Sequence, residues 1–156
     1  MHAVDVASFS RGLSVTDDGP VLTFFVPGEP VPKGRPRARS RGDYVQIYTD
    51  SKTSSWERHI GDYLMLQRGR MVGVQFPISQ RIACEMAFLI PRPKSVPKKV
   101  EYPVKSRTDV DNYAKAVLDG LQKGGILAND NIVTDLYAAK RYAEDIPGVW
   151  VRLAVL

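Results

Sequence analysis

The run QRIACEMAFLIP, at residues 80–91, constrains the fold of this chain more than any other feature. Its apolar side chains fall on every second position, which is the period of a β-strand whose successive side chains point to opposite faces. One face would carry Ile82, Cys84, Met86, Phe88 and Ile90. Pro91 ends the run, because proline cannot donate to a strand ladder. We therefore predict a strand at the centre of a sheet.

The rest of the chain alternates shorter strand patterns with two helical ones. Apolar residues at three- and four-residue steps predict a helix from Asp50 or Ser51 to about Gly69, and a second from about Asp111 to Lys123. Further strands are predicted at residues 20–28, 44–49, 132–142 and 149–156. The segments 29–44 and 91–108 are rich in proline; we expect the first to be an exposed loop or extended arm and the second to be a loop. This order predicts an α+β domain with a single mixed β-sheet and two main helices.

Length and cysteine content limit the classes of protein that fit. The chain has 156 residues, which predicts one domain at residues 20–156 preceded by a flexible extension at residues 1–19. The single cysteine, Cys84, lies in the apolar run and is expected to be a buried free thiol. It excludes an internal disulfide and a cysteine-rich zinc site. With no long apolar run and no signal-peptide pattern, we expect a cytoplasmic protein without a membrane partner.

Positive charge is concentrated in the two predicted loops. The chain carries 22 Lys and Arg against 17 Asp and Glu, a net charge of +5. In an extended segment, alternate residues share one face and lie roughly 6.6 Å apart, so the first loop would present a row of cations suited to a phosphate backbone. The candidate DNA-binding residues are Lys33, Arg35, Arg37, Arg39 and Arg41 in the first loop, and Lys98, Lys99, Lys105 and Arg107 in the second.

Four acidic residues, in contrast, gather around the second helix, in KSRTDVDNYAKAVLDGLQKGGILANDN. Asp109 and Asp111 stand where a loop meets the helix, and Lys115 and Asp119 follow Asp111 at steps of four residues. The double glycine after the helix can turn the chain back and bring Asp130 towards the first two acids.

Three explanations of this acidic cluster remain open from the residues alone. The carboxylates could be solvated surface groups, they could cap the helix, or they could bind a metal ion. Mg²⁺ prefers hard oxygen ligands, and acids beside basic loops suit metal-dependent cleavage of a phosphodiester. A calcium EF-hand is excluded, because the sixth position counted from Asp109 is Ala114 and the twelfth is Gly120.

The same residues resemble the signature of the RusA family of Holliday-junction resolvases, small endonucleases common in phages and prophages. The family pattern has D-x-D-N-x-x-K, an aspartate four residues on, a glycine, and a D/N-D pair before a strand. This sequence has DVDNYAKAVLDGL followed by GGILANDNIV. The segments GEPVPKGRPR and IYTDSKT are also similar to the family's N-terminal region. The resemblance extends from about Val21 to the C-terminus.

The resemblance implies a role for each matched residue. It assigns metal binding and catalysis to Asp109, Asp111 and Asp130, and a catalytic role to Lys115. Asp119 matches a supporting acid, and Asn129 stands where some members have a second aspartate. The resemblance further implies a RusA-like fold and a homodimer that uses Mg²⁺, or Mn²⁺, and no small-molecule cofactor. Its substrate would be a four-way DNA junction, cut by paired nicks on opposing strands, in the cytoplasm of a bacterial or phage-infected cell during recombination or repair.

Three other functions compete with this one. A non-catalytic protein that binds branched DNA or RNA would explain the charge but not the spacing of the acids. A hydrolase of small nucleotides would need a closed pocket and would have little use for a row of arginines. A structural phage or ribosome-associated protein fits the charge alone.

Overall fold

A computed structural model describes residues 21–70, 73–104 and 108–156 of the chain. The predicted extension at residues 1–19 and two predicted DNA-binding residues, Lys105 and Arg107, lie outside these ranges. Along the chain the elements are β1 (Val21–Pro27), β2 (Arg37–Arg41), β3 (Tyr44–Tyr48), α1 (Ser51–Gln67), β4 (Ile82–Ile90), α2 (Val110–Lys123), β5 (Val133–Tyr142) and β6 (Gly148–Val155). Short 3-10 turns follow α1, at Arg68–Arg70, and precede β5, at Asp130–Ile132.

Four of the strands form a mixed sheet in the order β1–β6–β4–β5. β6 pairs antiparallel with β1 and β4, whereas β4 and β5 run parallel. The central position predicted for β4 is confirmed, and Cys84 is a buried free thiol whose pKa is raised by burial. A parallel pair needs a crossover connection, and α2 supplies it between β4 and β5. This connection sets α2 beside the sheet with its first turn near the end of β4.

The two helices share one hydrophobic core with the sheet. Trp56, Ile60 and Leu64 of α1 meet Val117 and Leu121 of α2 in the same buried cluster as the apolar face of β4. α1 begins after Asp50, whose carboxylate accepts a hydrogen bond from the backbone N–H of Lys52 at 3.2 Å. No helix in the described ranges is long and apolar enough to cross a membrane.

A glycine pair lets the two helices approach closely. A Cβ placed on Gly124 would lie 2.7 Å from the Cα of Gly61, which is closer than side-chain atoms approach backbone. At Gly120 a Cβ would lie 3.1 Å from the backbone oxygen of Glu57. Because no side chain separates the helices here, polar groups of α1 reach polar groups of α2 directly.

The first basic loop differs from the prediction. Part of it, β2, pairs antiparallel with β3 as a separate two-stranded ribbon, with a turn at Gly42 where φ is +63°. Every residue of both strands is exposed. The α+β class is therefore confirmed, but the predicted single sheet is incomplete. The arginine-rich sequence of β2 has low strand propensity, and its strand exists through backbone pairing with β3.

Candidate active site

The first turn of α2 presents two carboxylates to solvent. Asp109 is the N-cap residue, but its side chain makes no capping hydrogen bond, and Asp111 in the first turn is exposed. The capping explanation therefore fails for the Asp109 carboxylate. Lys140 of β5 fixes the chain just before this point, since its Nζ donates to the backbone oxygen of Thr108 at 2.7 Å. Both acids still benefit from the positive end of the helix dipole.

Lys115 lies between two carboxylates. Its Nζ is 2.5 Å from Oδ2 of Asp130 and 3.1 Å from Oδ1 of Asp119, one turn further along α2. The chain returns after α2, and the backbone N–H of Asp130 donates to Oε1 of Gln122 at 3.3 Å. We predict that Asp130 comes close to Asp109 and Asp111, whereas the contact seen in the structure is with Lys115.

The two central groups of this site hold opposite charges at neutral pH. The hydrogen bond to Asp130 is the largest influence on Lys115, and with the bond to Asp119 it raises the pKa of this lysine above its usual range. Burial alone would raise the pKa of Asp119, but the hydrogen bonds from Lys33 and Lys115 outweigh it and hold that pKa below the usual range. A cationic lysine beside exposed acids is suited to stabilising negative charge on a substrate.

Asn129 has a local structural partner. Its Oδ1 accepts a hydrogen bond from the backbone N–H of Asn131 at 3.0 Å, which caps the 3-10 turn that starts with Asp130. The Asn129 side chain therefore helps to shape the turn carrying Asp130.

The described residues do not contain a closed metal cage. Among residues 21–70, 73–104 and 108–156, no three His, Cys, Asp or Glu side chains form a group that could hold a metal ion by themselves. The structure brings Asp130, Lys115 and Asp119 into contact, while Asp109 and Asp111 stand at the start of the same helix. Mg²⁺ commonly takes one or two carboxylates and completes its shell with water and substrate phosphate, so exposed carboxylates of this kind suit it.

Behind these residues lies an internal network that the sequence did not predict. Glu57 of α1 is fully buried, and its two carboxylate oxygens contact Lys33 and Lys123. Lys33 Nζ also contacts Oδ2 of Asp119 at 2.8 Å. We call the continuous series the ion chain: Lys123, Glu57, Lys33, Asp119, Lys115 and Asp130. The sequence feature that could have indicated this network is Glu57, a charged residue on the apolar stripe of α1 that also carries Ile60 and Leu64.

The predicted row of five cations divides in two. Arg37, Arg39 and Arg41 share one face of the ribbon, where their cross-strand partners are Tyr48, Gln46 and Tyr44. These three arginines and Arg35 are exposed, and Arg37 lies 3.6 Å from Asp50. Lys33 instead turns inward to the ion chain.

The second basic loop is held in place by its own residues. Arg92 donates to the backbone oxygens of Pro97 and Val100 at 2.7 and 2.5 Å, and its guanidinium lies 4.8 Å from the ring centroid of Tyr142. This leaves Lys98 and Lys99 exposed at the surface of the loop.

Comparisons with known proteins show the family to which the chain belongs. The family model described as "Endodeoxyribonuclease RusA" matches residues 27–154. The "Uncharacterized protein YqaN" of Bacillus subtilis (strain 168) is 31% identical over 133 residues, covering 80% of this chain and 89% of that protein. The "Crossover junction endodeoxyribonuclease RusA" of Aquifex aeolicus (strain VF5) is 21% identical over 125 residues, covering 80% of this chain and 83% of that protein. The family match includes every predicted site residue.

Proposed function

The chain belongs to the RusA family of endodeoxyribonucleases, and from this premise we propose that it resolves four-way DNA junctions. It would do so as a metal-dependent nuclease that makes paired nicks on opposing strands. The observation that carries the proposal is the position of Lys115, whose ammonium contacts Asp130 and Asp119 on the helix that begins at Asp109. A surface-charge role would not require this convergence of a helix and a distant turn.

Three of the predicted site residues are acids with the chemistry of a magnesium site. Asp109, Asp111 and Asp130 offer hard carboxylate oxygens, and we assign them to a bound Mg²⁺, for which Mn²⁺ could substitute. When bound, the metal would polarise the scissile phosphate and lower the pKa of an attacking water.

Lys115 would act on the phosphate itself. Its side chain is half exposed, so the ammonium can reach a phosphodiester placed over the first turns of α2. Held as a cation by its two acids, Lys115 would stabilise the negative charge that grows on the phosphate oxygens in the transition state.

Binding of the junction would rest on the two basic surfaces. The arginines of the ribbon and the lysines Lys98 and Lys99 are exposed, and phosphate contacts of this kind position a protein without reading bases. We also propose Lys105 and Arg107, which lie outside the described residues, as DNA-binding residues. A homodimer would present two identical sites to the two equivalent strands of a junction, because both have two-fold symmetry.

Cleavage of a synthetic four-way junction tests the proposal directly. Wild type and Asp130→Asn are incubated with the junction and with a linear duplex of matched sequence, each in Mg²⁺ and in EDTA. We expect symmetric nicks on the junction alone, lost in EDTA and in the variant, while the variant still binds the junction. Tight binding without cleavage in Mg²⁺ or Mn²⁺ would instead make the chain a junction-binding protein.

A further inference from the structure

Within the ion chain, Lys33 and Asp119 connect Lys115, the proposed catalytic lysine, to the fully buried carboxylate of Glu57. We propose that Lys33, anchored by Glu57, is a positioning residue that fixes Asp119 and thereby orients Lys115 at the cleavage site. This inference rests on the proposed function for the role of Lys115, but the arrangement of Lys115 that it predicts can be measured without any cleavage.

The backbone around Lys33 is fixed from both sides. The buried Thr53 of α1 donates its hydroxyl to the backbone oxygen of Pro32 at 3.1 Å, and its Oγ1 lies 3.4 Å from the backbone nitrogen of Gly34. The backbone N–H of Lys33 donates to the backbone oxygen of Asn112, in the first turn of α2, at 2.8 Å. Lys33 is therefore tied to both helices before its side chain is considered.

Glu57 gives the Lys33 side chain a single favourable position. The Glu57 side chain has no solvent exposure, so its carboxylate requires charged partners inside the protein. Lys33 supplies one at 2.6 Å. The side chain of Lys33 is itself only 24% exposed, and the ammonium reaches Asp119 from this fixed point.

Asp119, held by Lys33, in turn restrains the side chain of Lys115. Its two carboxylate oxygens are divided between the lysines, with Oδ2 at 2.8 Å from Lys33 and Oδ1 at 3.1 Å from Lys115. A pair four residues apart on an exposed helix face is weak, because two long side chains must both lose freedom. Here Asp119 is already held by Lys33, so its contact with Lys115 can restrain the Lys115 ammonium. The other partner of Lys115 is Asp130, which we assign to the metal, and Asp119 is thus the partner outside the metal site.

Lys123 provides a matched control. It contacts the same carboxylate as Lys33, through the other oxygen of Glu57, and it has no contact with Asp119 among the described residues. Lys33→Met and Lys123→Met each remove one cation from Glu57 and keep a side chain of similar length. Thermal unfolding establishes the stability of each variant, and all assays are run well below both midpoints.

The first readout is the ammonium group of Lys115, observed by proton–nitrogen NMR in the full chain without DNA. We expect its order parameter to fall in Lys33→Met and to stay at the wild-type value in Lys123→Met. An unchanged order parameter in Lys33→Met, or an equal fall in both variants, would overturn the inference. This result does not depend on whether the protein cleaves a junction.

The second readout separates binding from cleavage. We expect Lys33→Met to lower the single-turnover cleavage rate of the four-way junction by roughly tenfold to a hundredfold, the effect of misplacing a catalytic group by a small distance. Its dissociation constant for the junction should stay within about twofold of the wild-type value, because a positioning residue makes no contact with the DNA. Lys123→Met should cleave like wild type. A loss of affinity in Lys33→Met equal to its loss of rate would overturn the inference and make Lys33 a direct DNA contact.

Discussion

Asp119 occupies an unusual position for an acid in a basic protein. Among the described residues, it is the one carboxylate of α2 seen to contact two lysines, and its side chain is only 18% exposed. The same residue type at Asp111, two turns earlier, is exposed. Identical side chains on one helix thus have different surroundings, because the Lys33 ammonium contacts Asp119 whereas Asp111 is exposed.

The acid dependence of stability follows from Asp119. Its pKa in the folded chain lies below the ordinary value of 3.8, because the bonds from Lys33 and Lys115 outweigh the opposing effect of burial. A carboxylate with a lowered folded pKa contributes stability above its unfolded pKa and loses that contribution as the pH falls through the folded pKa. We therefore expect Asp119→Asn to be less stable than wild type at neutral pH, and this difference to shrink below about pH 4.

Urea unfolding followed by circular dichroism, repeated between neutral pH and about pH 2.5, measures this difference across the titration range of a carboxylate. Asp62→Asn, which removes an exposed carboxylate from α1, controls for the change in net charge. A stability difference between Asp119→Asn and wild type that is the same at neutral and at acidic pH would contradict the assignment.

At the scale of elements, the sequence predicts those strands and helices whose own residues follow a regular local pattern. The alternation in β4 and the apolar stripe of α2 predict both elements within a residue or two, because each is set by the period of its own side chains. β2 was missed, since its strand depends on pairing with β3 rather than on its own residues. The side-chain direction of Lys33 was also missed, because it depends on Glu57, which is distant along the chain.

The same distinction applies to the candidate site. The spacing of Asp111, Lys115 and Asp119 on one helix face could be read from steps of four residues. The return of Asp130 could be expected from the double glycine, but its contact with Lys115 required the turn capped by Asn129. Glu57 could not be placed, because the close crossing of the helices at Gly61 and Gly124 is a tertiary feature.

The ribbon leads to a prediction about salt. Arg39 and Arg41 lie on one exposed face with Tyr44, and we expect both arginines to contact DNA phosphates. The slope of log affinity against log salt is negative, and each lost phosphate contact makes it shallower by about 0.9, so the change of both to glutamine should make it shallower by up to about 2. Fluorescence anisotropy with a labelled four-way junction, at several salt concentrations, measures this slope.

A control with the same change in net charge separates local contact from general attraction. Arg58 and Arg68 are exposed and lie outside the ribbon, at α1 and just after it. We expect the change of both to glutamine to leave the slope at its wild-type value. Equal slopes in the two double variants would show that the ribbon does not contact the backbone.

At the scale of the whole molecule, charge is separated by region. The ribbon and the loop at residues 91–104 present cations to solvent, while Asp119 of α2 contacts two lysines of the same chain. A net charge of +5 therefore understates the attraction that the basic surfaces offer to DNA.

We expect the proposed paired nicks to be made by two such sites in one dimer, and a mixed dimer tests this. Wild-type and Asp130→Asn chains with different affinity tags are expressed together, and the mixed species is isolated by two successive purifications. Its substrate is a supercoiled plasmid that extrudes a four-way junction. Each subunit of a two-fold dimer would cut one strand, so wild type should yield linear plasmid, whereas the mixed dimer should yield nicked circles.

Wild-type chains that carry the two tags and pass through the same purification control for effects of the tags. They should yield linear plasmid at the rate of the untagged protein. Linear plasmid from the mixed species at that rate would mean that one site makes both cuts, since only one Asp130 remains in the particle. Failure to isolate any mixed species from wild-type chains would contradict the homodimer itself. Nicked circles from the mixed dimer alone would show that each strand is cut by the Asp130-containing site of its own subunit.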